Sequence, residues 1–197
     1  MNETTFPFVC SNPPPALATL RQRTAALGFP AASDDRTGQL LKALASSKPG
    51  GRFLELGTGT GIGTAWMLSG MDADARLQSI DSDGDIQQTA VDVLGGDPRV
   101  TFHTMEGKDY ITQAVATSYD LIFADAWSGK FFDLDATLQL LKVGGIYVID
   151  DLLPQENWPE NHQPRSDALV ATLEANANLS TLRLDWSTGL MLAIRRN

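Results

Sequence analysis

Five short runs, Arg52–Leu56, Arg76–Asp81, Arg99–His103, Tyr119–Asp125 and Gly145–Asp150, have the apolar character of strands. The stretches between them, 62–70, 84–95, 108–117 and 132–142, repeat apolar positions at helical spacing. Strands that alternate with helices of this length predict a parallel, doubly wound sheet. LIFAD and IYVID are almost continuously apolar, as expected of strands covered by helices on both faces. Ahead of the first strand, a Pro13-Pro14-Pro15 entry leads into two segments of helical Leu and Ala spacing, 16–27 and 37–47, which predict cap helices within residues 1–48. After the fifth strand, a helix over roughly 163–176 is followed by Ser180–Asp185 and Leu190–Arg195, which flank Trp186-Ser187-Thr188-Gly189 and read as a closing hairpin. The expectation is one α/β domain over 1–197, with a core over 52–195. Its sheet has seven strands, five parallel and two forming a C-terminal antiparallel hairpin.

Composition narrows the function classes. The 197 residues suffice for one domain with a substantial core. Net charge is −9, and the only adjacent basic pair is Arg195-Arg196, which argues against nucleic acid as a partner because phosphate contacts need clustered Lys and Arg. Cys10 is the single cysteine, so no intrachain disulfide can form, and a reducing compartment fits. The opening MNETTFPFVC lacks a basic region followed by an apolar core, and no stretch approaches the ~20 apolar residues of a membrane span. A cytoplasmic enzyme without a membrane partner is the expectation.

Candidate chemistry begins at FLELGTGTGIGTAWM, residues 53–67, which reads as strand, glycine-rich turn and helix start. Glycine lets a ligand approach the backbone where a Cβ would collide. A dinucleotide fingerprint needs glycines at the first, third and sixth loop positions. The sixth position is Ile62 counted from Gly57 and Thr64 counted from Gly59, so neither frame fits. The spacing Glu55-x-Gly57-x-Gly59-x-Gly61 instead resembles the first motif of class I methyltransferases that use S-adenosylmethionine (SAM). That resemblance implies a Rossmann-like fold and a cofactor site at Glu55, Gly57, Thr58, Gly59, Gly61 and Gly63. Asp81 and Ser82 lie about twenty residues beyond the loop, where an acid accepts both ribose hydroxyls of a nucleoside; capping the next helix is the plainer role. Asp109 is the candidate for the adenine amino group, with Glu106 as its competitor.

GQLL at 38–41, LELGTGTGIG, SIDSD, YDLIFADAW, GGIYVIDDLL and the hairpin together resemble the catechol- and caffeoyl-CoA-type O-methyltransferase family over residues 33–195. The resemblance implies methyl transfer to a hydroxyl of a small-molecule acceptor and, by analogy, a homodimer. It also implies that Asp125, Asp150 and Asp151 bind one Mg²⁺, which would hold a vicinal diol and lower the pKa of its hydroxyl. Asp125 is thereby expected both at the cofactor and at the metal. The family places a catalytic lysine three residues after the first metal Asp. Here that position is Ser128, and Lys130 is the nearest candidate. The segment LLPQENWPENHQPR departs from the family loop; its Trp158, His162 and Arg165 are candidates for an acceptor pocket. Trp127 is expected beside a ligand and Trp66 in the core. The alternatives are a metal-independent methyltransferase using His162 or Lys130, aminopropyl transfer, a non-catalytic SAM-binding protein and an NAD-dependent reductase.

Overall fold

The computed structural model describes residues 9–155 and 158–197. The opening MNETTFPF, with its expected lack of a leader, and Glu156–Asn157 of the 152–165 segment lie outside them. Among the described residues, seven helices and seven strands follow one another as α1 (Leu17–Leu27), α2 (Asp35–Ser46), β1 (Arg52–Leu56), α3 (Ile62–Gly70), β2 (Arg76–Asp81), α4 (Gly84–Leu94), β3 (Val100–Thr104), α5 (Gly107–Gln113), β4 (Tyr119–Ala124), α6 (Leu134–Leu140), β5 (Leu141–Ile149), α7 (His162–Ala175), β6 (Leu179–Leu184) and β7 (Leu190–Arg195). The sheet order is β3-β2-β1-β4-β5-β7-β6. The first five strands are parallel, and β7 runs antiparallel to both β5 and β6. This is the expected doubly wound α/β sheet with its closing hairpin.

Helix starts follow local chemistry. The Asp34 carboxylate accepts from the N–H groups of Arg36 and Thr37 at the head of α2, and Asp83 does the same for Asp85 and Ile86 at α4, each satisfying donors that the first helical turn leaves unpaired. The two sheet faces then bury separate cores. On one, Leu20, Leu41, Trp66 and Met67 from α1–α3 pack on Phe53, Leu77, Leu121 and Phe123. On the other, Ile111, Leu140, Leu169 and Leu173 from α5–α7 pack on Leu54, Ile80, Ile122 and Tyr147. Trp66 is fully buried, and a Cβ on Gly38 would run into its indole. The glycine of GQLL is thus where α2 rides over α3.

One boundary differs from the pattern-based expectation. The helix expected over 132–142 ends at Leu140, and β5 begins at once with Leu141. Tyr119 pairs with Leu141, but Leu121 pairs with Ile146, so the ladder skips across Lys142–Gly145. Gly144, at φ +77°, lets the chain make that bulge. Leu140 and Leu141 belong to the same core, and apolar spacing alone does not reveal a helix that becomes a strand without a turn.

β1 and β4 are neighbours although three helices and two strands separate them in sequence, so the sheet order reverses there. At the end of β1, Gly57 has φ +101°, and a Cβ on it would stand 2.6 Å from the main-chain oxygen of Asp125. Gly57→Ala is expected to cost about 2–5 kcal/mol through strain plus overpacking. Gly28→Ala, at φ +63° in open space, is expected to cost about 1 kcal/mol. Urea unfolding compares them, and equal losses would contradict a tight β1–β4 contact.

Candidate active site

In a doubly wound sheet a ligand sits beyond the strand ends at the point where the order reverses. A cavity of about 350 Å³ lies there, lined among others by Glu55, Gly57, Gly59, Asp81, Trp127 and the loop residues Ala31–Ser33. Its floor is backbone. The N–H groups of Gly57 and Thr58 donate to Ile80 O, at 2.8 and 3.2 Å, which ties the glycine loop to the end of β2. Asp81 then organises the rim: Oδ2 accepts from Gly59 N and Oδ1 from Asp83 N, at 2.8 and 2.9 Å. A carboxylate oxygen has two lone pairs, so each of these can still accept from a ligand hydroxyl.

Glu55 is buried within the wall. Its Oε2 accepts from both Thr64 and Ser79 hydroxyls at 2.5 Å. Thr58 Oγ1 pairs with Ser79 Oγ at 2.7 Å and accepts from Gln87 Nε2 at 2.9 Å. Burial pushes the Glu55 carboxyl up to about 8, against the pull of its two hydroxyl donors. Near neutrality Glu55 is therefore mostly protonated in this setting.

A second, smaller cavity of about 160 Å³ adjoins the first, sharing Ala31, Ala32, Ser33 and Asp125 with it. Asp150, Asp151, Trp158 and Thr188 complete its wall. Asp125 accepts from Ser33 Oγ at 3.2 Å. Asp150 Oδ1 accepts from Thr188 Oγ1 at 2.5 Å and from Asp151 N at 2.8 Å. Asp151 adopts φ +64°, a left-handed conformation that Asp enters more easily than most residues. Burial, then Asp150, holds the Asp125 carboxyl well above the usual carboxylate range. Burial, then Asp151, raises Asp150 to about 6.

The structure brings together Glu55, Gly57, Thr58, Gly59, Gly63, Asp81, Ser82 and Asp125 around the first cavity. Gly61 lies elsewhere: at φ +90° it caps α3, and a Cβ would meet Ala90 of α4 at 2.6 Å, so it serves helix packing. Asp109 is exposed on α5 and outside that lining, whereas Glu106 and Gly107 are within it. Asp109 stands in the first turn of α5 and lines a neighbouring cavity with Lys108, Phe131 and Asp133 instead. Lys130 lines neither cavity and is buried, its side chain 2% exposed. His162 is also buried; its ring lies 3.8 Å, between centroids, from that of Trp158. Arg165 stacks over Trp127 and Phe132. Two site residues were not legible in advance: Ser33, from the loop between the cap helices, and Thr188, from the hairpin turn. The serine just before the Asp34 cap carried a weak signal; Thr188 carried none, because its partner is 38 positions away.

The O-methyltransferase family profile matches residues 9–189. The chain belongs to the O-methyltransferase family. Within it, a probable O-methyltransferase of Mycobacterium tuberculosis (strain H37Rv) is 32% identical over 138 residues, 68% of this chain and 61% of that protein. Matched segments span between 50% and 61% of the curated mycobacterial relatives. The fold is similar to that of the O-methyltransferase TomG of Streptomyces achromogenes solved with SAM (TM-score 0.79, 22% identity, 93% of this chain and 90% of that one). It is also similar to that of an O-methyltransferase of Bacillus cereus solved with S-adenosylhomocysteine (TM-score 0.80, 18% identity, 98% and 94% covered).

The arrangement of Asp125, Asp150 and Asp151 gives the expected Mg²⁺ no support. Among the described residues, no group of three or more His, Cys, Asp or Glu side chains is arranged to hold a metal ion. Ser33 already engages Asp125, and Thr188 with the Asp151 N–H engages Asp150. The Lys130 ammonium stands 3.8 Å from Asp151 Oδ2. Ser128, at the family's lysine position, lines the larger cavity. No helix among the described residues is long and apolar enough to cross a membrane.

Glu55 sets a pH dependence. Its folded carboxyl lies at about 8 against an ordinary 4.5. Between those values the unfolded chain binds fewer protons than the folded one, so this group's contribution to stability falls as pH rises through that window. Glu55→Gln keeps an acceptor for Thr64 and Ser79 and removes the titration. Its melting temperature relative to the parent is expected to be several degrees higher at about pH 8 than at about pH 5. Parallel profiles across that range would rule Glu55 out as the source.

Proposed function

We propose that this domain transfers a methyl group from SAM to a hydroxyl of a small-molecule acceptor. The observation that carries this reading is the pair of adjoining cavities that share Asp125 and Ser33. The larger has features a nucleoside donor needs. Asp81 offers free lone pairs to ribose hydroxyls, Glu106, Gly107 and Trp127 provide a wall for the base, and Glu55 with the glycine loop would receive the methionine end. The donor set suits a cationic, pyrophosphate-free ligand, because the Asp81 carboxylate at the rim of the cavity would repel a diphosphate.

When bound, SAM supplies an electrophilic methyl on a positively charged sulfur. The protein's part is chiefly to hold donor and acceptor together and to accept the hydroxyl proton. Asp125 occupies the junction between the cavities, and its burial makes it a stronger base than an exposed carboxylate once ionised. The Ser33 hydroxyl steadies Asp125, and the acceptor rests against Trp158 and Gln155. Methyl transfer and proton uptake together convert the hydroxyl to a methyl ether and leave a neutral thioether.

Calorimetry with S-adenosylhomocysteine tests the donor site. Asp81→Ala is expected to weaken binding at least tenfold through loss of two charge-assisted hydrogen bonds, worth about 1.5–3 kcal/mol each. Circular dichroism would check that the loop stays folded. Absence of binding at millimolar ligand would end the proposal. Tight binding with no label transferred from methyl-labelled SAM to a panel of phenols and alcohols would favour a non-catalytic SAM-binding protein.

A further inference from the structure

Lys130, the candidate catalytic lysine, has a side chain that is buried and lines neither cavity. Its loop is closed by hydrogen bonds from Gly129 N to Phe132 O at 2.8 Å and from Lys130 N to Trp127 O at 3.2 Å. The Tyr147 hydroxyl donates to Gly129 O from beneath. The ammonium so placed donates to the main-chain oxygen of Asp150 at 3.0 Å and faces Asp151 Oδ2 at 3.8 Å. It lies 5.7 Å from the Phe131 ring centroid.

Burying an ammonium is costly unless carboxylates or carbonyl oxygens surround it, and gathering three carboxylates is costly unless a cation joins them. Lys130 and the cluster of Asp125, Asp150 and Asp151 each meet the other's need. A compact ammonium with three donors can satisfy a carbonyl and a carboxylate at once. A divalent ion entering the same cluster would meet that positive charge close by.

We propose that the Lys130 ammonium is the built-in cation of this carboxylate cluster, standing where a divalent ion would otherwise balance the charge, so that the site operates without one. The proposal rests on reading the smaller cavity as the acceptor site. Lys130 is a positioning residue here, acting through the Asp150 main chain and the Asp151 carboxylate.

Mn²⁺ binding to the whole chain, followed by electron paramagnetic resonance, is the test. The parent is expected to bind no Mn²⁺ more tightly than about 1 mM, the weak end of protein divalent sites. Lys130→Met, which keeps the length and loses the charge, is expected to bind one Mn²⁺ at least tenfold more tightly than the parent. Adding Asp150→Asn should abolish that gain, and Lys130→Arg should not show it. One Mn²⁺ bound by the parent below about 1 mM and lost in Asp150→Asn would overturn the proposal. So would a folded Lys130→Met that binds no better than the parent. Should Lys130→Met unfold, millimolar Mn²⁺ is expected to restore its melting transition, and failure to do so also overturns the idea. Calorimetry with S-adenosylhomocysteine on the same parent sample keeps the two readings apart. Loss of that binding would sink methyl transfer and leave the metal result standing.

Discussion

Everything in the site depends on a place where two backbones touch without side chains between them. Gly57 at the end of β1 lies against the carbonyl of Asp125 at the end of β4, closer than any Cβ would allow. The contact is made at the reversal of strand order, so the loops after β1 and β4 diverge and leave the larger cavity between them. It also sets where the Asp125 side chain emerges, at the boundary of the two cavities. One steric condition thus fixes the donor loop and the acid beside it in a common frame.

Charge is handled differently on the two sides of that frame. On the β2 side, Asp81 is held by two main-chain N–H groups and keeps capacity for further hydrogen bonds. Beneath it, Glu55 is enclosed with Thr64, Ser79, Thr58 and Gln87, a network in which a neutral acid is less costly than an ion. On the β5 side, three aspartates line one small cavity, where burial and the neighbouring carboxylates raise the proton affinity of Asp125 and Asp150, while the buried Lys130 offsets part of the repulsion. The same residue type therefore keeps open hydrogen-bonding capacity in one place and is crowded among carboxylates in another, because burial and neighbours differ.

The fold was largely legible along the chain. The apolar runs marked all seven strands within a residue or two, save the start of β5, and the caps at Asp34 and Asp83 stand where helix-start chemistry places them. The start of β5 was hidden because a helix passes into a strand without a turn signal. Within the site, the glycine loop and Asp81 were visible because backbone geometry restricts which residues can stand there. Gly61 belonged to the loop pattern and yet packs against Ala90 of α4, and Asp109, in the first turn of α5, lines a neighbouring cavity.

What the sequence determined on its own is the element order, the doubly wound sheet and the glycine-rich turn after β1, since these follow from local periodicity and the special freedom of glycine. Tertiary structure alone decided how the acids are used. Lys130 turns inward beneath Asp150, Thr188 arrives from the far hairpin and Ser33 from the cap. Such contacts depend on distances in space between residues 20 to 92 positions apart, and no local pattern encodes them.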